Sequence, residues 1–241
     1  MPDGGDGGEG VGRNERRGRL IQPRQEASSV GARRPLLIFP CNGNGLEALD
    51  CLGDSFDCIG FIDDTPEKQR AGAYGLPVFP RAALTQHGEA AVLAVPGGPL
   101  SFGARRAVIE SLGLAPARFA TVIHPRASVS PLARVGRNVL VMAGAAVTSN
   151  AVIGDHVCVL PNTVIHHDVT VGAFSLIGAN IAVAGNVVIG ENCYLGSGTN
   201  IKNGVRIGDR ALVGLGSNVI RDVAEGSTVA GNPARPLPKR T

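Results

Sequence analysis

Five histidines, His87, His124, His156, His166 and His167, are the side chains here best suited to moving a proton at neutral pH. An imidazole, with an ordinary pKa of about 6.5, can take a proton from an attacking amine or hydroxyl. His167 is followed at once by Asp168, and a carboxylate beside an imidazole can orient or polarise it. From the residues alone, a solvated surface pair is the competing reading. The remaining chemistry such a base would need is a set of hydrogen-bond donors for a developing oxyanion.

A second candidate constellation lies nearer the start. The apolar run Leu36–Phe39 is followed by Cys41-Asn42-Gly43-Asn44-Gly45, whose N–H groups and following helix start would favour phosphate oxygens. The loop is not a GxGxxG and is weak evidence alone. Asp63 and Asp64 close the next apolar run, Cys58–Ile62, from which carboxylates can reach a base or ribose. An ordinary turn is the alternative.

The elements that must position these residues fall into two parts. Strand-like Leu36–Phe39, a helical period over Leu46–Leu52, strand-like Cys58–Ile62 and Ala90–Val95, and a helix near Phe102–Leu112 make a βαβ order. That order predicts a small parallel sheet over residues 35–118. From Ile123 every sixth residue is aliphatic through Val219, seventeen of seventeen positions without an insertion. Such a unit makes one short strand and one turn, and three units close a coil of 18 residues. Val135-Gly136, Ile153-Gly154, Val171-Gly172, Ile189-Gly190 and Ile207-Gly208 repeat at that longer period, marking one corner. Glycine is expected there for its backbone freedom. Each aliphatic points inward, with a second inward residue four positions on, such as Ala145, Thr163 or Cys193. At a strand spacing of roughly 4.8 Å, five to six coils give a column on the order of 25–30 Å. The fold class is therefore α/β plus β: a βαβ domain followed by a parallel β-helix.

Composition agrees. Aromatics are 4%, tryptophan is absent and there are 34 glycines, which suits many tight turns around a thin aliphatic core. A net charge of +3 is too small to imply a nucleic-acid partner, so none is expected, and seven Arg of the first 34 residues face five acids there. Residues 1–34 read as a disordered tail. No apolar run approaches 18 residues and no signal sequence opens the chain, so no membrane insertion is expected. Five cysteines without a CxxC pair read as reduced thiols, placing the protein in the cytoplasm.

With these anchors in order, the chain resembles bacterial sugar acetyltransferases of the sialic acid O-acetyltransferase and bacillosamine-pathway N-acetyltransferase type. The residues that carry the resemblance are the glycine-rich loop, Gly60-Phe61-Ile62-Asp63-Asp64, Ile123-His124-Pro125, His167-Asp168, Ala184-Gly185-Asn186 and Gly231-Asn232-Pro233-Ala234-Arg235. The resemblance implies a Rossmann-like domain holding a nucleotide-linked sugar at 35–118 and a left-handed β-helix acyltransferase domain at 119–224. It also implies a C-terminal segment at 225–241 flanking the CoA site, and a homotrimer with acetyl-CoA between neighbouring β-helices.

Residue by residue, the resemblance implies His167 as general base and Asp168 as its orienting acid. Gly185 is then the candidate donor to the thioester oxyanion, with Gly196 and Gly214 flanking the pantetheine arm and Arg235 near phosphate or adenine. Asn42, Gly43, Asn44, Asp63, Asp64 and His166 are candidates for binding the sugar nucleotide. His124 reads as structural and His156 as an exposed corner residue. The chain departs from the family at Leu176, where N-acetyltransferase relatives can carry a second histidine. It departs also at Leu160-Pro161 in place of Asn-Thr, at Pro40 in place of the first glycine, and at Asn44 in place of a histidine.

The expected activity is N-acetylation of a nucleotide-linked amino sugar in surface-polysaccharide or glycan synthesis. O-acetylation of a sialic acid or related sugar, and a non-catalytic trimeric sugar-nucleotide scaffold, are the alternatives. A zinc enzyme of γ-carbonic anhydrase type would need three converging histidines, which adjacent His166 and His167 are ill placed to supply.

Overall fold

The protein is described here by a computed structural model that covers residues 33–238. The expectation for the N-terminal tail lies outside them, apart from Arg33 and Arg34. The chain opens on β1 (Arg34–Phe39), β2 (Phe56–Ile62), β3 (Val78–Phe79) and β4 (Ala91–Ala94), all parallel in the order β3-β2-β1-β4. Leu36, Leu37, Ile38 and Ala91 to Ala94 are fully buried, as parallel strands covered on both faces must be.

The helices of this domain are short: α1 (Gly43–Glu47), α2 (Pro66–Ala71), α3 (Ala83–Gln86) and α4 (Arg105–Glu110). The first begins earlier than its apolar period implies, because Gly45 N–H donates to Asn42 Oδ1 (2.9 Å) and starts the turn. It then tightens into a 3₁₀ turn, Ala48–Cys51. Likewise only Arg105–Glu110 of the second predicted helix is α, after a 3₁₀ turn over Phe102–Ala104.

From Val122 the hexapeptide rule becomes two-residue strands that pair, in parallel, with the strand 18 residues on. They build three faces, of five, six and eight strands. The interior holds both inward positions of each hexapeptide, for example Val159 with Thr163, Val171 with Ser175 and Ile189 with Cys193, all at most 1% exposed. Ile123 keeps the register but is 40% exposed, since no coil lies above the first. Thr228–Gly231 continues the eight-stranded face beyond residue 224 before turning back antiparallel as Ala234–Pro236, so the prism outlasts its expected boundary.

The corners correct one expectation. Gly136, Gly154, Gly172, Gly190 and Gly208 are needed for close approach, not for freedom. A Cβ on Gly172 would sit 2.4 Å from the carbonyl carbon of Gly190 in the next coil. The left-handed residues come two positions later, and at every sixth residue from Asn138 to Gly216 the backbone has positive φ. Asn and Gly fill those positions, as their tolerance of that region dictates. The exceptions are His156, Asp168, Phe174 and Arg210.

Two of these exceptions dock the α/β domain. The outward residues Val122, Leu140, Cys158 and Leu176, one per coil at 18-residue spacing, are buried against Leu36, Ile38, Ala48, Cys51 and neighbours of that domain. Beside that ladder runs a corner column. Asn138 exchanges bonds with Ala94 of β4, accepting from its N–H (2.7 Å) and donating to its carbonyl (2.8 Å). His156 is not merely exposed, as the sequence had implied. Its ring stacks on Phe174 (4.5 Å, 14°), meets the edge of Phe119 (5.0 Å) and accepts at Nδ1 from Asn138 Nδ2 (2.9 Å). Burial pushes its pKa down to about 4. No helix among the described residues is long and apolar enough to cross a membrane.

Candidate active site

The strand Val164–Ile165 leads out of the six-stranded face into a corner occupied by His166, His167 and Asp168, all exposed. Asp168 holds the left-handed position (φ 59°), which turns its carboxylate back along the chain. Its Oδ2 lies 2.7 Å from His167 Nδ1, and Oδ1 accepts from Asn150 Nδ2 (3.1 Å), one coil above. These two hydrogen bonds hold the Asp168 carboxyl below the usual carboxylate range. A carboxylate only accepts, so Nδ1 carries the proton and Nε2 is left with its lone pair free.

Gly185 sits one coil below. A Cβ there would lie 2.6 Å from Cε1 and 2.7 Å from Nε2 of His167, so the imidazole rests directly on the bare backbone. The Gly185 N–H donates to no backbone carbonyl among the described residues, while Asn186 N–H bonds His167 O (3.1 Å) and locks the two corners together. An imidazole nitrogen and a backbone N–H without a backbone acceptor therefore belong to adjacent corners, the two kinds of group that acyl transfer from a thioester can use.

The other candidates separate. Gly196 and Gly214 lie at the opposite edge of the six-stranded face, and their N–H groups are committed to Val213 O (2.8 Å) and Val229 O (2.8 Å). A Cβ on either would strike the next coil, so both are required by the corner and remain as walls rather than donors. Arg235 lines a cavity of about 450 Å³ under the last coil with Arg221 and Asp222. His166 has no side-chain partner among the described residues. His124 accepts from Arg126 N–H at Nδ1 (2.8 Å), a local structural bond.

In the α/β domain a cavity of about 550 Å³ opens at the carboxyl ends of the strands, lined by Phe39, Pro40, Asp63, Asp64, Thr65, Pro66, Arg81, Pro96 and Val108. Strand ends of this kind are where open parallel sheets take ligands. The structure thus brings Asp63 and Asp64 to one pocket, but neither carboxylate is idle. Asp63 meets Lys68 Nζ (2.7 Å) and accepts from Thr65 N–H (3.0 Å). Burial raises its pKa, yet these partners outweigh that and hold it low. Asp64 accepts from Arg81 N–H (2.9 Å) and pairs with its guanidinium (2.8 Å), which lies over the Phe39 ring.

Asn42, Gly43 and Asn44 do not line that cavity. Asn42 caps α1, Gly43 has open space where a Cβ would go, and Asn44 Nδ2 reaches Val95 O and Gly97 O (3.4 Å each). The glycine that this loop requires is Gly45, where a Cβ would meet Pro40 O at 2.3 Å. Sequence reasoning missed Arg81, Val108 and Pro96 as pocket residues, because they are distant in the chain and carry no motif.

A hexapeptide prism joined to a small α/β domain is the architecture of sugar acetyltransferases of known structure to which this chain is similar. Residues 132–167 and 168–203 each match the bacterial transferase hexapeptide (six repeats). The acetyltransferase domain of PglB from Neisseria gonorrhoeae, solved with acetyl coenzyme A, is 29% identical, with 85% of this chain and all of that one covered at a TM-score of 0.76. PerB from Caulobacter crescentus, solved with CoA and GDP-perosamine, is 27% identical over 88% of this chain and all of its own, at a TM-score of 0.72. A variant of the perosamine N-acetyltransferase from the same organism gives the same identity, coverage and TM-score. No curated protein matches the chain by sequence. The resemblance to sugar acetyltransferases and the two-part fold are borne out.

Proposed function

We propose that this protein transfers the acetyl group of acetyl-CoA to the amine of a nucleotide-linked amino sugar. The observation that carries the reading is the His167–Asp168 pair at 2.7 Å, which leaves Nε2 as acceptor on an exposed corner. Nε2 takes a proton from the acceptor amine as its nitrogen attacks the thioester carbonyl, and Asp168 holds the imidazolium that forms. The Gly185 N–H, which donates to no backbone carbonyl among the described residues, is the candidate donor to the oxyanion. Collapse of the tetrahedral species expels the CoA thiolate, and the imidazolium can return the proton to it.

The solved relatives supply the substrate class: PglB's domain holds acetyl coenzyme A, and PerB holds CoA with GDP-perosamine. Here the strand-end cavity is the place for the nucleotide, and Asp63, Asp64 and Arg81 bound it. The Gly196–Gly214 corner and the His167–Gly185 corner stand at opposite edges of one prism face. A groove shared by neighbouring copies takes one edge from each, which favours a homotrimer with acetyl-CoA between subunits. Four of the five unpaired cysteines are buried as thiols, and with the CoA donor this supports a cytoplasmic reaction that feeds surface-polysaccharide or glycan synthesis.

The test is release of free CoA from acetyl-CoA against UDP-, GDP- and dTDP-linked 4-amino sugars and their hydroxyl counterparts, beside His167→Ala. Turnover on an amino sugar that vanishes in the variant is expected. Turnover on hydroxyl acceptors alone moves the reading to O-acetylation. CoA binding with no turnover on any acceptor overturns catalysis in favour of a scaffold.

A further inference from the structure

The α/β domain buries a guanidinium with no acid to meet it. Arg105, the first residue of α4, is 1% exposed and forms no ion pair among the described residues. One terminal nitrogen donates to the carbonyl of Pro96, the other to the carbonyl of His156 (2.8 Å), and Nε has no partner. Removing such a charge from water costs several kcal/mol that two carbonyls offset only in part. A methionine or leucine of similar volume would fill the space at less cost. What an apolar residue would not do is tie two carbonyls from different domains to one rigid plane.

Both carbonyls matter by position. Pro96 follows β4 and lines the strand-end cavity, as does Val108, one turn along from Arg105 on α4. Asn44 Nδ2 also reaches this loop, at Val95 O and Gly97 O (3.4 Å each). His156 opens the coil whose next two strands, Cys158–Val159 and Val164–Ile165, end in His167. The turn of this loop beside the guanidinium needs glycine for its backbone, since Gly97 has φ 112°, while an added Cβ would stand in ordinary contact 3.8 Å from Arg105.

Resting on the function proposed above, we infer that Arg105 is a positioning residue: it sets the register between the nucleotide-sugar pocket and the coil that carries the base. It touches neither substrate. Its contribution is to the distance between an amine held by one domain and Nε2 held by the other, and misplacement by about 1 Å can cost on the order of a hundredfold in rate.

The experiment compares Arg105→Met and Arg105→Lys with the unaltered protein, measuring kcat, and the Kd of acetyl-CoA and of the nucleoside diphosphate by calorimetry. In Arg105→Met, kcat falls about tenfold to hundredfold, while both Kd values stay within about threefold. Combined with Asn44→Ala, which frees the same loop, the loss is less than the product of the single effects, as coupled neighbours require. An unchanged kcat overturns the inference, as do losses that multiply independently or a fall in kcat matched by weaker binding of acetyl-CoA. Should Arg105→Met fail to fold, Arg105→Lys decides, because one ammonium keeps the charge but cannot span both carbonyls. Unaltered protein that turns over no nucleotide-linked sugar refutes the proposed function instead, a result separate from any effect at Arg105.

Discussion

Gly185 lies directly beneath the imidazole of His167, so close that a single methyl group on its Cα would come within 2.6 Å of the ring. The glycine is thus part of the imidazole's seat. In Gly185→Ala the side chain yields, not the coil, and the ring leaves Asp168. We expect kcat to fall on the order of tenfold to hundredfold with thermal unfolding nearly unchanged. A variant that keeps full turnover in the CoA-release assay would show that the ring's present seat is not the reactive one.

Asp168 offers a separable test because asparagine tolerates its left-handed backbone. Asp168→Asn keeps the fold and the corner but lets an amide donate to Nδ1, turning the proton toward Nε2. The base is then lost while binding persists. Turnover should drop by roughly two to four orders of magnitude, by analogy with acid-to-amide changes behind other catalytic histidines. Asp168→Ala should add a stability loss of about 1 kcal/mol from the backbone. Equal activity in Asp168→Asn and the unaltered protein would contradict the orientation argument.

The domain junction should be acid-sensitive. His156 has a folded pKa of about 4, below the value near 6.5 expected unfolded, so between these the unfolded chain binds more protons. The stabilisation is fully present above about pH 6.5 and is lost as pH falls toward 4. Urea midpoints measured across that window should slope downward with acid, and His156→Asn, which suits the positive φ, should flatten the slope. Parallel curves for the two proteins would assign the acid sensitivity elsewhere.

Much of this was legible beforehand. Period six fixes where each strand and corner falls, and its inward pairs, from Val141–Ala145 to Val213–Ser217, are buried as the pattern requires. His167-Asp168 is adjacent in sequence, so its geometry follows from the corner. Contacts between domains were not legible. Arg105 with His156, and Asn138 with Ala94, join residues about 50 and 44 positions apart, with no local pattern to announce them. The roles of Asp63 and Asp64 were half visible, since the strand end is readable but their cations, Lys68 and Arg81, are not. His156 reads differently from sequence because a corner residue is normally solvated, whereas here Phe174, Phe119 and Asn138 cover the ring.

Leu176 shows the same limit. Where relatives can carry a second histidine, this chain has a residue 3% exposed, packed against the α/β domain. Leu176→Ala should cost about 2–4 kcal/mol in urea unfolding, as a cavity in that seam. Leu176→His should be destabilised as well, without faster CoA release. A gain in rate would mean that the seam opens during turnover.

The outward ladder of Val122, Leu140, Cys158 and Leu176 also restricts how genes of this architecture can change length. Six residues added within the prism preserve every strand and corner, yet they carry all later rungs a third of a turn away. The wall would vanish from under its partner, and Asp168 would exchange edges with a glycine corner. Inheritable lengthening must therefore come in units of 18 residues, a coding quantum of 54 nucleotides, or fall beyond the last rung.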